Sequence, residues 1–304
     1  MTTNINNFDQ IVSSAKEKAK KNKPKAALLN PKHSDVFNAF SKAIADGLID
    51  PVIIGDKAEI EKIAKEIKFE LSGIDLIDNE GSSSVLKATQ MAEDGDIDLI
   101  IKGTGPTDIF VQYLFNSEHF HKKGRLACHI ALVKPEQYEK AFILSDAEVI
   151  IQPDLKQKIG KVNNIIQFSH KIGMDEPLIA VLAAVEVVYP QMPVTTEGAV
   201  LGKMSDRKQF KGGYVDGPLS FDCAIDPEAA KSKGITNSKV AGNANAMLAP
   251  NIETAHGIYK AMALYGNAQV GGIIYGGNVP VALPSRSDSE ESIYNSIALG
   301  VLAG

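Results

Sequence analysis

From Ala26 onward, short apolar runs of strand length alternate with segments whose apolar residues recur at helical spacing, and this alternation constrains the fold more than any other feature. Strands are expected at Ala26 to Leu29, Pro51 to Gly55, Ile74 to Ile77 and Ile97 to Lys102. Helices fall between them, over Val36 to Ala45, around Ile60 to Ile67, over Ser83 to Asp94 and over Thr107 to Phe115. Ahead of them, Phe8, Ile11, Val12, Ala15 and Ala19 share one helical face, and the basic run Lys18 to Lys25 is read as its solvated last turn.

The pattern resumes with strands at Leu126 to Val133 and Ala141 to Ser145 and a long helix from Leu155 to Ile172. Further strands are expected at Leu178 to Leu182, around Tyr214 and at Ala246 to Leu248. Helices are expected over Thr195 to Met204, Pro227 to Lys233 and Ile252 to Leu264, and Asp216-Gly217-Pro218 reads as a turn. Alternation with short connections predicts a mostly parallel sheet covered by helices on both faces, with ligands at the carboxyl ends of strands. A chain of 304 residues, 44% hydrophobic, has room for two such α/β/α domains.

Charge and cysteine content narrow the function classes. A net charge of −5 gives no global footprint for nucleic acid or an anionic membrane, so an anionic ligand must be met locally. The two cysteines, Cys128 and Cys223, lie far apart without a CxxC partner, which argues against a disulfide framework or zinc ribbon and for a reducing, cytoplasmic compartment. No apolar run reaches the roughly 20 residues of a membrane span, and the first residues lack a signal-peptide core.

The chemistry concentrates in Gly271 to Leu302. There an apolar strand, a glycine pair and a second apolar strand run into Pro284-Ser285-Arg286-Ser287-Asp288-Ser289 and an amphipathic helix. A hydroxyl and a guanidinium at a strand-to-helix junction suit a phosphate, because free N–H groups and the helix dipole favour an anion there and the guanidinium fork matches phosphate oxygens. A structural alternative also fits, since Ser287-x-x-Glu290 matches a capping box.

A second candidate is Lys102-Gly103-Thr104-Gly105, which offers an ammonium and close backbone approach to a phosphate, or else a plain strand-to-helix turn. Asp108 breaks the GxGxxG spacing and GxxxxGK[ST] is absent, so a dinucleotide or nucleoside-triphosphate loop is not indicated. His119, His121 and His129 with Glu118 lack metal-ligand spacing and are read as scattered histidines, with no metal site.

Several ordered stretches resemble the phosphate acetyltransferase and phosphate butyryltransferase family. They are Ile100 to Thr107, Gln152 to Leu155, Pro177 to Glu186, Asp216 to Asp222, Val240 to Gly242, Pro250 to Lys260 and Gly271 to Leu302. The resemblance implies reversible acyl transfer between coenzyme A and inorganic phosphate, both as substrates, with no bound cofactor. It also implies an isocitrate and isopropylmalate dehydrogenase-like fold, an interdomain active site and a homodimer. A discontinuous first domain, 1–140 with 278–304, would then enclose a second at 141–277.

Residue by residue, the resemblance assigns Ser285 and Arg286 to holding and polarising the reacting groups, with Asp288 as a third catalytic candidate. Lys102, Gly103, Thr104, Asp222, Tyr259 and Ser292 become substrate-binding candidates, with packing remaining the alternative for Tyr259. The acetyltransferase branch carries an aspartate where this chain has Ser292, a departure that points to the butyryl branch, with acetyl transfer as the alternative. From another class, a nicotinamide-dependent hydroxy-acid dehydrogenase of the same fold is the competing reading, disfavoured by the lack of a clustered aspartate metal site.

Overall fold

In the computed structural model the described residues are 7–79, 81–285 and 288–304. The chain divides into two compact units, one formed by Phe8–Ala127 with Val270–Gly304 and one centred on Cys128–Gln269.

The first unit opens with α1 (Phe8–Lys21), β1 (Lys25–Leu29), α2 (Ser34–Ala45), β2 (Asp50–Gly55) and α3 (Lys57–Ile67). It continues through β3 (Asp75–Asp78), α4 (Ser83–Glu93), β4 (Leu99–Lys102) and α5 (Thr107–Asn116). The second unit comprises β5 (Cys128–Lys134), β6 (Phe142–Ser145), α6 (Leu155–Lys171), β7 (Leu178–Leu182), α7 (Pro193–Asp206) and β8 (Tyr214–Leu219). It closes with α8 (Phe221–Ile225), α9 (Pro227–Ser232), β9 (Ala246–Leu248) and α10 (Ile252–Leu264). The chain then returns to the first unit with β10 (Gln269–Tyr275), β11 (Val281–Ala282) and α11 (Glu290–Ala303).

In the first unit the strand order is β3-β2-β1-β4-β11-β10, parallel except for the β10–β11 hairpin. In the second it is β5-β6-β9-β7-β8, parallel except for β5 against β6. The expected mostly parallel α/β architecture is therefore present. Central strands read as unbroken apolar runs because both faces are covered: Leu99, Ile100 and Ile101 of β4 are all fully buried. By contrast β3, Asp-Leu-Ile-Asp at an edge, has no fully buried residue. Side-chain caps start α3, α6, α9, α10 and α11, with a reciprocal Asp154–Gln157 capping box on α6. The expected domain boundaries near Lys140 and Asn278 compare with unit boundaries after Ala127 and Gln269, where β5 groups with its antiparallel partner β6.

Three local expectations are corrected. Asp216-Gly217-Pro218 lies inside β8 rather than forming a turn. Among the described residues β8 pairs only with β7, so a proline without a donor is tolerated on this edge strand, and the pairing register shifts between Ala180 and Leu182. Helix α11 is not amphipathic: every residue from Ser292 to Ala303 is buried, because α1, α2, β4 and β11 surround it. The basic run after α1 is divided, since Lys25 opens β1 and Lys18, half-buried, donates to the Leu302 carbonyl at 3.0 Å. No helix among the described residues is long and apolar enough to cross a membrane.

Candidate active site

Parallel register sets Val281 opposite Ile100 and Ala282 opposite Ile101. The residues that follow, Leu283 and Lys102, leave the sheet side by side at its carboxyl edge, one leading to Pro284-Ser285 and the other to Gly103-Thr104. On the other side of β4 the exit loop of β1 is tied to the same place. Thr104 N donates to the Asn30 carbonyl at 3.1 Å, and Lys32 N donates to Thr104 Oγ1 at 2.9 Å. A Cβ on Gly103 would stand 2.0 Å from the Leu29 carbonyl oxygen, so the close approach requires glycine. Lys102 itself is buried.

Ser285 is half-buried and its backbone is gripped by Asp288: Ser285 N donates to Asp288 Oδ2 at 2.9 Å, and Asp288 N donates to the Ser285 carbonyl at 3.1 Å. Helix α11 then starts at Glu290 with Ser289 as its cap, whose hydroxyl accepts from Ser292 N at 3.2 Å. Glu290 is thus the first helical residue, capped by Ser289, and the alternative capping box of Ser287 with Glu290 starts on a residue outside those described. The Ser292 hydroxyl is buried against Ser289 Oγ at 3.2 Å. Arg286 and Ser287 lie outside the described residues, so the reading of Arg286 stands on its sequence position alone.

Next to Thr104 is a pocket of about 340 Å³ at the carboxyl ends of the strands. Asn30, Lys32, Pro106, Ile109 and Tyr113 are among its walls, and the Lys32 ammonium pairs with Glu59 at 2.8 Å across it. Ile109 and Tyr113, one turn apart on α5, remain exposed.

In the second unit Asp222 belongs to a polar cluster at the carboxyl ends of β7 and β8. The Ser220 hydroxyl contacts Glu186 and lies 2.5 Å from Asp222 Oδ1, while Lys233 Nζ stands 3.0 Å from Glu186, 3.0 Å from Ser220 Oγ and 3.2 Å from Asp222. The Ser220 hydroxyl and Lys233 hold the Asp222 carboxyl down at about 2. Burial opposes ionisation of Glu186, yet Ser220 and Lys233 outweigh it and hold its carboxyl below the usual range. Lys233 is raised in turn by Glu186 and Asp222. Glu186, Asp222 and Cys223 bring ligand atoms within 4.8 Å of one another, but the ammonium of Lys233 already sits against both carboxylates.

Tyr259 is buried in α10 with Lys260 Nζ 5.2 Å from its ring centre, which fits the packing alternative for this residue. The histidines are dispersed: His119 pairs with Glu93, His121 bonds the Phe115 carbonyl at 2.7 Å, and His129 is buried in the other unit. Glu186, Ser220 and Lys233 were not foreseen from the sequence as a cluster. Ser220, two residues before Asp222, carried a local signal, whereas Lys233 carried none.

A second buried polar group surrounds Asp146. Its carboxylate accepts from the backbone N–H groups of His129, Glu148, Val149 and Ile150 at 2.8 to 3.2 Å. Burial, and then Asp146, push the Cys128 thiol up to about 12, against the Asn164 amide 3.2 Å from its sulfur. Lys161 is fully buried and its Nζ has no hydrogen-bond partner among the described residues. Burial holds that amine below the usual lysine range, against the pull of Asp146.

Residues 82–301 match the family model described as phosphate acetyl/butaryl transferase. The chain is 37% identical over 299 residues to a phosphate butyryltransferase of Clostridium acetobutylicum, covering 98% of both chains. It is 34% identical over 295 residues to a phosphate acetyltransferase of Thermotoga maritima, covering 97% of this chain and 99% of that one. Among solved structures it matches a branched-chain phosphotransacylase from Enterococcus faecalis, with a TM-score of 0.77 and 25% identity over 91% of this chain and 99% of that one. Ordered agreement along nearly the whole length, in sequence and in fold, makes the chain a member of the phosphate acetyl/butyryl transferase family.

Proposed function

We propose that the chain is a phosphate acyltransferase that converts an acyl-CoA and inorganic phosphate to an acyl phosphate and free CoA, reversibly, with butyryl or a branched homologue as the preferred acyl group. The observation that carries this reading is the register of β4 with β11, which brings the Lys102-Gly103-Thr104 and Pro284-Ser285 loops to neighbouring strand ends. Transfer of an acyl group needs a positioned phosphate and donors aimed at the oxyanion of the tetrahedral intermediate. Ser285 Oγ is suited to donate to the thioester carbonyl or the leaving sulfur. Arg286 is suited to hold phosphate bidentately. Asp288 supports Ser285 by fixing its backbone.

No general base is required of Ser292, whose hydroxyl is turned toward Ser289. Thiolate formation on CoA, with a thiol pKa near 8.5, is favoured by the electrostatics of a cationic site. The pocket beside Thr104 falls in the size range of small-molecule sites, and its apolar α5 wall suits the aromatic portion of CoA. Coenzyme A and phosphate enter as substrates, and no resident cofactor is assigned. The family resemblance carries a homodimer and a cytoplasmic setting into the proposal, the first of which light scattering tests.

The butyryl reading is supported by phosphate butyryltransferases at 37% identity, beside an acetyltransferase at 34%, and by serine at position 292. Measuring phosphate-dependent CoA release from acetyl-, propionyl-, butyryl- and isobutyryl-CoA in parallel tests it. A higher kcat/KM for the four-carbon esters is expected, and a clear preference for acetyl-CoA would refute the butyryl assignment. A difference of two methylenes allows a wide margin, since each is worth about 1–3 kcal/mol in a fitted pocket.

A further inference from the structure

Ser220 stands at the N-cap of α8, yet its hydroxyl makes no capping bond. It turns instead to Glu186 and Asp222 and lies 3.0 Å from Lys233 Nζ. A capping hydroxyl ordinarily stabilises its helix, so its diversion shows that the contacts with the carboxylates and the ammonium prevail here. Glu186 lies beyond the end of β7, Ser220 and Asp222 follow β8 directly, and Lys233 caps α9. Two segments at the carboxyl edge of this sheet, one after β7 and one after β8, therefore converge on the ammonium at the end of α9.

The charge count gives the cluster its consequence. Two carboxylates and one ammonium leave one net negative charge, and without Lys233 there would be two. The substrates of the proposed reaction are anions, phosphate and the pyrophosphate-bearing CoA, and the carboxyl edge of a parallel sheet is where they would pass. We propose that Lys233 is a positioning residue of acyl transfer: by bridging Glu186, Ser220 and Asp222 it fixes the segment after β8 and cancels a negative charge that would repel the anionic substrates. The proposal rests on the phosphate acyltransferase reading. Lys233 does not anchor phosphate itself, because its ammonium is already committed to both carboxylates.

The test compares wild type, Lys233→Gln, Lys233→Arg and Lys233→Gln combined with Asp222→Asn, reading KM for phosphate and for butyryl-CoA at several ionic strengths. In Lys233→Gln both KM values should rise about fivefold at low salt, with kcat within about twofold, and the difference should shrink as salt screens the carboxylates. Arginine should restore both KM values, and Asp222→Asn should recover most of the loss by removing the uncancelled charge. A merely structural role would lower kcat and thermal stability without salt dependence and without rescue by Asp222→Asn, and that result overturns the proposal. Unchanged KM values at low salt overturn it as well. Wild-type protein lacking phosphate-dependent CoA release would instead overturn the acyl-transfer reading, and the role of Lys233 with it.

Discussion

Gly103 passes Leu29 so closely that a Cβ on it would stand 2.0 Å from the Leu29 carbonyl oxygen. The clash would be with backbone in a buried strand, which cannot yield as a flexible side chain would. Gly103→Ala should therefore push the β4 exit loop away from β1 and break the Thr104–Asn30 hydrogen bond. The expected cost is about 3 kcal/mol in stability, the upper end of overpacking, together with loss of turnover. Denaturant melts and steady-state assays check both, and a fully active, fully stable Gly103→Ala protein would contradict the geometry.

The Asp288 carboxylate accepts from Ser285 N, and in the proposed reading it supports the Ser285 loop rather than transferring a proton. Asp288→Asn keeps an oxygen acceptor and should retain most activity, whereas Asp288→Ala should lower kcat about tenfold by freeing the Ser285 loop, as expected for loss of a charged hydrogen bond. Ser292→Ala should cost less than either. The ascending limb of the pH–rate profile, set by thiol ionisation, should survive Asp288→Asn. Abolished turnover together with loss of that limb would make Asp288 the general base.

Arg286 is assigned by residue type and by its position between Ser285 and Asp288 in sequence. Arg286→Ala should raise the phosphate KM and lower kcat, and Arg286→Lys should rescue only in part, since an ammonium cannot reproduce the fork. Wild-type phosphate kinetics in both variants would remove Arg286 from the site.

Lys161 is a buried ammonium whose Nζ makes no hydrogen bond among the described residues, and the Asp146 carboxylate is already bonded by four backbone N–H groups. Lys161→Met should accordingly raise stability by about 1–2 kcal/mol at neutral pH. The sign of the pH dependence is fixed by the lowered folded pKa. The penalty is full below that folded value and fades as pH climbs from it to the unfolded value near 10.4, so the advantage of methionine should vanish there. A destabilised Lys161→Met at pH 7 would show that Asp146 needs its counter-charge.

Both cysteines are buried and free, and the Cys128 thiol is pushed up to about 12. Thiol reagents should label neither in the native protein and both in denaturant. Rapid native labelling of Cys128 would contradict its burial.

The apolar periodicity made nearly every strand and long helix legible, because central parallel strands such as Leu99-Ile100-Ile101 are apolar on both faces. Misreadings arose where tertiary context overrides local chemistry. Asp216-Gly217-Pro218 has turn composition yet extends β8, since an edge strand does not need the missing proline donor. The Ser285 region was recognisable from residue types at a strand-to-helix junction, and Gly103 from its place after β4. The Glu186–Ser220–Asp222–Lys233 cluster was not, because its members are up to 47 residues apart in sequence and only the folded chain joins them.

In the proposed reaction these strand-end loops support transfer of an acyl group from CoA to phosphate. The most direct measurement incubates the protein with butyryl-CoA and phosphate, counting free thiol while trapping acyl phosphate as its hydroxamate. One acyl phosphate per CoA released is predicted, with no release when phosphate is omitted. CoA release that proceeds equally without phosphate, or that yields free butyrate in place of butyryl phosphate, would contradict the account.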